Sequence, residues 1–206
     1  MGNKVILYFG SFNPIHNGHL SIAAYVLDRA LCDEVWFIVS PQNPLKGQVD
    51  MLPESERFEM AQLAAAEWSS AIKVLDVEFT MSRPSYTIRT ILRLEELYPD
   101  KNFSLLMGED NILFFDRWRK WEEIVKHCPV LIYPRGAVQQ RNVVEDKICE
   151  LRQEGELKAD RFIYLADAPR IHLSSTELRR QIDRIDGLTA RSVVNYIKEK
   201  KLYDRK

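Results

Sequence analysis

Short apolar runs alternate along this chain with longer stretches in which apolar positions recur every three or four residues. KVILYF (4–9), EVWFIVS (34–40), IKVLDVEF (72–79), NFSLLMG (102–108), PVLIYPR (129–135) and RFIYLAD (161–167) read as strands. The stretches 17–31, 54–68, 86–97, 119–127, 142–154, 175–184 and 190–200 carry helical spacing. Strand and helix in regular alternation predict an α/β fold of Rossmann-like, doubly wound type: a mainly parallel sheet with helices on both faces, completed by a small C-terminal helical part.

Boundary residues agree with this division. Pro53 precedes a helix with Glu54 and Glu56 in its first turn, Pro99 and Asp100 close another, and Ser85 is expected to cap the helix that follows Pro84. No change of composition marks a linker, so residues 1–206 are expected to form a single domain, with the helices from about 175 packing on it. There is no internal repeat or low-complexity tract, and the charged stretch 139–161 reads as a solvated helix and turn.

Composition narrows the partners. A chain of 206 residues with 46 % hydrophobic side chains can bury a sizeable core. Its 29 basic side chains against 30 acidic ones provide no overall field for nucleic acid or an anionic membrane, so an anionic ligand must meet a local site. Cys32, Cys128 and Cys149 are spaced neither as metal ligands nor as a redox pair, which predicts reduced thiols and no structural zinc. MGNKVILYFGSF lacks the pattern of a signal peptide, Ile6 stands where a myristoylation motif has Ser or Thr, and no run approaches ~18 apolar residues. A soluble cytoplasmic protein is expected; oligomeric state is left open.

One strand ends in an unusual way. In YFGSFNPIHNGHL (8–20) the apolar run breaks into Gly10, Ser11, Asn13 and Pro14, then presents His16 and His19 around Gly18 where a helix begins. In a doubly wound sheet the first strand-to-helix turn is the usual place for phosphate. Gly10 is expected to let the backbone turn sharply, Gly18 to clear the approach of a polyphosphate, and the amides of the helix start to favour negative charge. His16 and His19, three apart, should face the same way and donate to phosphate oxygens, an adjacent anion favouring their charged form. Two histidines at a helix start are also common as surface or capping residues. As a catalytic zinc site they lack a third ligand at a familiar spacing.

A second motif stands near the other end. IHLSSTELRRQI (171–182) has Ser174, Ser175 and Thr176 followed by Arg179. This is an ordinary helix cap, and equally a start with hydroxyls, amides and a guanidinium that could hold a triphosphate.

Together the two motifs resemble those of the H-x-G-H nucleotidyltransferases, which join a nucleoside triphosphate to a phosphorylated acceptor and release pyrophosphate. Within that superfamily the chain is similar, from Phe9 to about Tyr203, to the bacterial nicotinate mononucleotide adenylyltransferases. PQNPLK (41–46) resembles the loop whose lysine, here Lys46, approaches phosphate. RPSYTIRTI (83–91) resembles the P-S-Y-T segment, placing Ser85, Tyr86 and Thr87 near the pyridine ring's substituent. MGEDNILFFDRWRKWEEI (107–124) resembles the G-x-D and tryptophan segment, with Gly108, Asp110 near ribose or phosphate, Trp118 to stack on the ring, and Arg119 beside it. YPRG (133–136) supplies Arg135, and VVNYIKEKKLYD (193–204) looks like the terminal helix. Arg119 stands where relatives often have Tyr, Leu45 where His is common, and Arg83 precedes Pro84 without the usual Gly.

The resemblance implies direct attack of the acceptor's 5′-phosphate on the α-phosphorus of ATP, with no enzyme nucleophile. His16, His19 and Arg179 would be catalytic; Gly10, Ser11, Phe12, Gly18, Ser174, Ser175 and Thr176 would complete the ATP cradle, and Asn13 would join the acceptor site. Mg²⁺ would be carried in with ATP rather than held by a protein metal site. The implied partners are ATP and nicotinate mononucleotide, with no nucleic acid and no membrane. On their own, Trp118 and Trp121 would suit a core stripe, Asp110 a helix cap, and Lys46 or Arg135 plain solvation. His127 suits a helix dipole, and neither it nor His172 is assigned a role.

Four rival readings are open to the same residues. Phosphopantetheine adenylyltransferases are expected to be shorter, and the P-S-Y-T and G-E-D…W segments favour a pyridine nucleotide over the alcohol phosphates of cytidylyltransferases. A nucleotide-binding regulator without turnover would not need His16, His19 and Arg179 together. Class I aminoacyl-tRNA synthetases share H-x-G-H, but this chain is short, without K-M-S-K-S or a basic excess. Nicotinate and nicotinamide mononucleotide are not separated by the sequence.

Overall fold

β1 (Asn3–Gly10) forms the middle of the sheet because both of its faces are apolar: Val5 and Leu7 enter one core, Ile6 and Tyr8 the other. The structure, a computed structural model, describes residues 3–41, 51–135 and 141–204. The remaining strands are β2 (Glu34–Val39), β3 (Ile72–Leu75), β4 (Lys101–Gly108), β5 (Val130–Tyr133) and β6 (Phe162–Tyr164). Their order is β3-β2-β1-β4-β5-β6 and every pairing is parallel. The order reverses between β1 and β4, so the loops leaving these two strands diverge and open a crevice at their carboxyl ends.

Helices α1 (Asn17–Asp28), α2 (Glu54–Trp68), α7 (Ser175–Arg180) and α8 (Arg191–Lys200) cover one face. Leu20, Ile22, Met60, Ala64, Leu178, Val193 and Ile197 join Ile6 and Phe37 there. Helices α3 (Thr87–Leu97), α4 (Glu109–Ile112), α5 (Trp121–His127) and α6 (Arg141–Glu154) cover the other, where Ile91, Leu94, Ile124 and Ile148 meet Leu7 and Leu105. Burying each of the larger of these side chains contributes about 1.5–3 kcal/mol. The doubly wound α/β fold and its C-terminal helices are thus present, and the sheet is parallel throughout the described residues.

Several boundaries differ from the pattern, each for a local reason. The strand predicted over 72–79 ends at Leu75, because its partner β2 stops at Val39; residues Val77–Thr80 coil into a 3-10 turn that buries Glu78. α1 ends at Asp28, followed by Ala30 in the left-handed region (φ 52°). The helix expected from 119 starts at Trp121, since Lys120 is also left-handed (φ 56°). α7 stops at Arg180 and continues as a separate 3-10 turn, Ile182–Arg184. α4 and the 3-10 turn Phe115–Arg117 are too short for periodicity to reveal. Ser85 is not a cap: α3 begins after Tyr86, with no side-chain capping bond, and Ser85 is buried beneath it. Of the thiols, Cys32 and Cys128 are buried, Cys149 is exposed, and none is bonded to another.

Candidate active site

The crevice at the switch between β1 and β4 is a cavity of about 710 Å³. Its floor is the carboxyl ends of β1 and β4; its walls come from the loop after β1, the start of α3, the segment 117–119, Arg135 and the start of α7. Residues far apart in sequence meet here because the loop between β1 and α1 is tied from several directions. Arg179 Nη1 donates to the Asn13 carbonyl at 2.7 Å, Ser175 Oγ to the Pro14 carbonyl at 2.9 Å, and Thr189 Oγ1 to the Ile15 carbonyl at 2.8 Å. The Tyr203 hydroxyl donates to Asn13 Oδ1 at 2.7 Å, while Asn17 Nδ2 reaches the Gly187 carbonyl at 2.9 Å. The C-terminal helices therefore position the first loop as well as contributing side chains to the site.

His16 and His19 stack with ring centroids 3.8 Å apart and both line the cavity, facing the same way. The His16 N–H donates to His19 Nδ1 at 3.3 Å, which leaves the proton of a neutral His19 on Nε2. His16 is 2 % exposed, and its Nδ1 has no partner. Burial, helped by the charge of Arg135, pushes its pKa down to about 4, so at neutral pH the unliganded protein presents a neutral imidazole. The motif's reading has His16 donating to phosphate, with an adjacent anion favouring its charged form; the neutral ring offers that donor as an N–H.

The two glycines of the motif act differently from the expectation. The sharp turn is at Phe12, in the left-handed region (φ 45°), whereas Gly10 makes room for the Phe12 ring, 2.8 Å from where a Cβ would stand. Gly18 does not line the cavity; a Cβ there would meet Ile171 Cγ2 at 2.4 Å and His16 Nδ1 at 2.9 Å. It clears space for protein rather than for polyphosphate.

Of the other residues singled out, Gly10, Ser11, Phe12, Asn13, Ser85, Tyr86, Thr87, Gly108, Trp118, Arg119, Arg135, Ser174, Ser175, Thr176 and Arg179 all line this cavity. Ser174 also caps α7, accepting from the Glu177 N–H at 3.2 Å, so the cap and the cavity wall are one residue. Trp118 packs on Phe115 at 5.3 Å, while Trp121 belongs to the core. The Arg119 guanidinium lies 4.8 Å from the centre of the Tyr86 ring, forming a cationic and aromatic wall. Asp110 lies outside the main cavity: it pairs with Arg135 at 3.1 Å and faces an adjoining hollow of about 330 Å³ with His172 and Ser174. It is no helix cap either, since α4 begins after Gly108. Lys46, with Leu45, lies outside the described residues. His127 ends α5 and meets Glu95 at 2.8 Å, away from the cavity.

The cytidylyltransferase-like family matches residues 7–181, a span that holds the first motif, the cavity walls and Arg179. The chain belongs to that family. Its cytidylyltransferase-like sequence is 38 % identical to the probable nicotinate-nucleotide adenylyltransferase of Flavobacterium johnsoniae, over 98 % of this chain and all of the relative. It is 39 % identical to the probable nicotinate-nucleotide adenylyltransferase of Bacteroides fragilis, over 87 % of this chain and 82 % of that one. Among solved structures, the nicotinic acid mononucleotide adenylyltransferase of Plasmodium falciparum complexed with NaAD superposes with a TM-score of 0.75 at 21 % identity, over 98 % of both chains. At that identity the likeness concerns the fold.

Several cavity residues of this cytidylyltransferase-like chain carry no motif. Tyr8 and Tyr133, at the carboxyl ends of β1 and β5, share a hydrogen bond of 2.7 Å inside the cavity, and burial raises both phenols above their ordinary range. Glu78, 1 % exposed, accepts from Thr90 Oγ1 at 2.7 Å; burial lifts its carboxyl above the usual range, against the pull of that bond. Arg117 and Asn111 complete the wall beside Trp118. Sequence spacing carries no mark of these residues, because each becomes a site residue only through strand order.

Proposed function

We propose that this protein is a nicotinate-nucleotide adenylyltransferase, joining ATP to nicotinate mononucleotide to release nicotinate adenine dinucleotide and pyrophosphate. The observation that carries the reading is the convergence of His16, His19 and Arg179 on one cavity long enough in outline to run from α7 to the aromatic wall of Tyr86 and Trp118. Near-full-length relatives named for this activity support the choice of acceptor.

The acceptor phosphate is ionised near neutral pH and needs no enzyme nucleophile; the protein's work is to hold two repelling anions in line and stabilise charge on the α- and β-phosphates. His19, with its tautomer set by the His16 amide, and the neutral imidazole of His16 donate to phosphate oxygens. Arg179 and the Ser174–Thr176 turn close on the triphosphate from the opposite side. The pyridine ring lies against Tyr86, Thr87 and Trp118, with Arg119 and Arg135 near the acceptor's charges.

Among the described residues no three His, Cys, Asp or Glu side chains come together as a metal cage. Mg²⁺ would be brought in on the ATP phosphates, where it would supply charge neutralisation; Mg²⁺ commonly keeps substrate oxygens and water as ligands. No helix among the described residues is long and apolar enough to cross a membrane.

Pyrophosphate release measured with ATP against nicotinate mononucleotide, nicotinamide mononucleotide and phosphopantetheine, and with CTP against glycerol phosphate, tests the reading. Highest kcat/KM with nicotinate mononucleotide is expected. Turnover confined to another acceptor would replace the assignment, and nucleotide binding without release from any pair would make the protein a regulator.

A further inference from the structure

Arg57 is the largest fully buried side chain among the described residues, 1 % exposed, and lies in the first turn of α2. Its guanidinium joins two loops. Nη1 donates to the Ser11 carbonyl at 2.6 Å and to the Ser40 carbonyl at 2.8 Å; Nη2 donates to the Pro41 carbonyl at 3.0 Å and Nε to the Leu52 carbonyl at 3.0 Å. These four bonds all end on main-chain carbonyls, whose dipoles solvate the charge without cancelling it. Ser11 and Ser40 line the cavity, whereas Arg57 does not.

Two consequences follow from elementary geometry. In a trans peptide the N–H points opposite to the C=O. The Ser11–Phe12 bond is trans, so holding the Ser11 carbonyl toward Arg57 aims the Phe12 N–H the other way. A carbonyl left facing the cavity would repel a polyphosphate; one drawn behind the loop does not. The guanidinium also stays protonated despite the downward pull of burial on its pKa, and so places a fixed positive charge one peptide away from the anion loop.

We propose that Arg57 is a positioning residue for the polyphosphate, acting without touching it: it draws the Ser11 and Ser40 carbonyls behind the cavity wall, turns the Phe12 amide toward the anion and backs the loop with charge. This rests on the adenylyltransferase reading for the identity of the polyphosphate, but not for the binding itself. A mere structural cross-link would stabilise the fold while leaving the affinity of the folded protein for phosphates unchanged.

Binding of inorganic pyrophosphate by calorimetry, with the KM for ATP, separates the two in wild type, Arg57→Lys and Arg57→Gln, each checked for folding by near-ultraviolet circular dichroism. Lysine keeps the charge but cannot span four carbonyls. The expected result is a pyrophosphate Kd about tenfold higher for Arg57→Lys and about 10²-fold higher for Arg57→Gln, the loss typical of a displaced binding group, with the KM for ATP following. If the glutamine variant does not fold, the lysine variant alone carries the test. Folded variants that bind pyrophosphate and ATP within about twofold of wild type overturn the proposal. Pyrophosphate binding that depends on Arg57 in a protein that transfers no adenylyl group would instead uphold Arg57 and remove the adenylyltransferase reading.

Discussion

Arg179 Nη1 donates to the main-chain carbonyl of Asn13 at 2.7 Å, and its Nη2 approaches Thr176 Oγ1 at 3.4 Å. One guanidinium thus ties the start of α7 to the loop after β1, and both segments line the same cavity. A planar fork can keep the first loop in place with one edge and meet phosphate with another. Lysine has the charge but no fork. In Arg179→Lys, kcat at saturating acceptor is expected to fall about tenfold or more, measured by pyrophosphate release. Wild-type turnover in that variant would show that bidentate geometry is not what Arg179 contributes.

His19 has its Nδ1 occupied by the His16 amide, so its Nε2 is the nitrogen placed to donate. Removing one preorganised donor typically costs ~10²–10³ in turnover. His19→Ala is expected to lose kcat in that range while keeping its fold. Unchanged kinetics in a folded variant would take His19 out of the mechanism.

His16 carries a pH signature in stability. Its pKa falls from 6.5 to about 4 on folding, so the unfolded chain takes up a proton first as pH drops. The contribution is complete above pH 6.5 and is lost as pH falls toward about 4, amounting to about 3 kcal/mol at ~1.36 kcal/mol per unit. Urea unfolding of wild type and His16→Gln across this window should show wild type losing about that much more stability than the variant. Glu78, whose carboxyl is raised by burial, acts in the opposite sense, but is common to both proteins and cancels in the difference. Parallel stability curves would mean that His16 titrates at the same pH in the folded and unfolded chain.

Thr189, 5 % exposed, gives its hydroxyl to the Ile15 carbonyl at 2.8 Å. Valine has nearly the same shape and no donor, so Thr189→Val leaves that carbonyl unsatisfied at a cost of about 1–3 kcal/mol. A lower urea midpoint with unchanged slope is expected, together with a raised KM for ATP because the loop bearing His16 loses a tie. A lowered midpoint with KM unaltered would confine Thr189 to stability.

Much of the fold and of the site is legible in the amino-acid sequence. All six strands stand where short apolar runs predict them; the inner strands, buried on both faces, need apolar residues at nearly every position, while the edge strands β3 and β6 are only partly buried and short. The cavity residues that share a motif, such as His16, His19, Ser174 and Arg179, were readable because each motif sits at the end of an element. Arg57 was not, because a lone arginine in a helical pattern looks solvated until the loops after β1 and β2 are folded over it. Tyr8 and Tyr133 carry no sequence signal of their own; only the adjacency of β1, β4 and β5 brings their hydroxyls together. Gly18 was read with the right spacing and the wrong neighbour, since the Ile171 methyl that fills its space comes from the far end of the chain.

Direct transfer between two substrates held by both ends of the chain is tested most directly by stereochemistry at the reacting phosphorus. With ATP made chiral at the α-phosphorus by a sulfur and an isotopic oxygen, and nicotinate mononucleotide as acceptor, a single in-line displacement gives a dinucleotide with inverted configuration. Retention would require an intermediate on the protein, and would contradict a mechanism in which His16, His19 and Arg179 only bind, orient and neutralise.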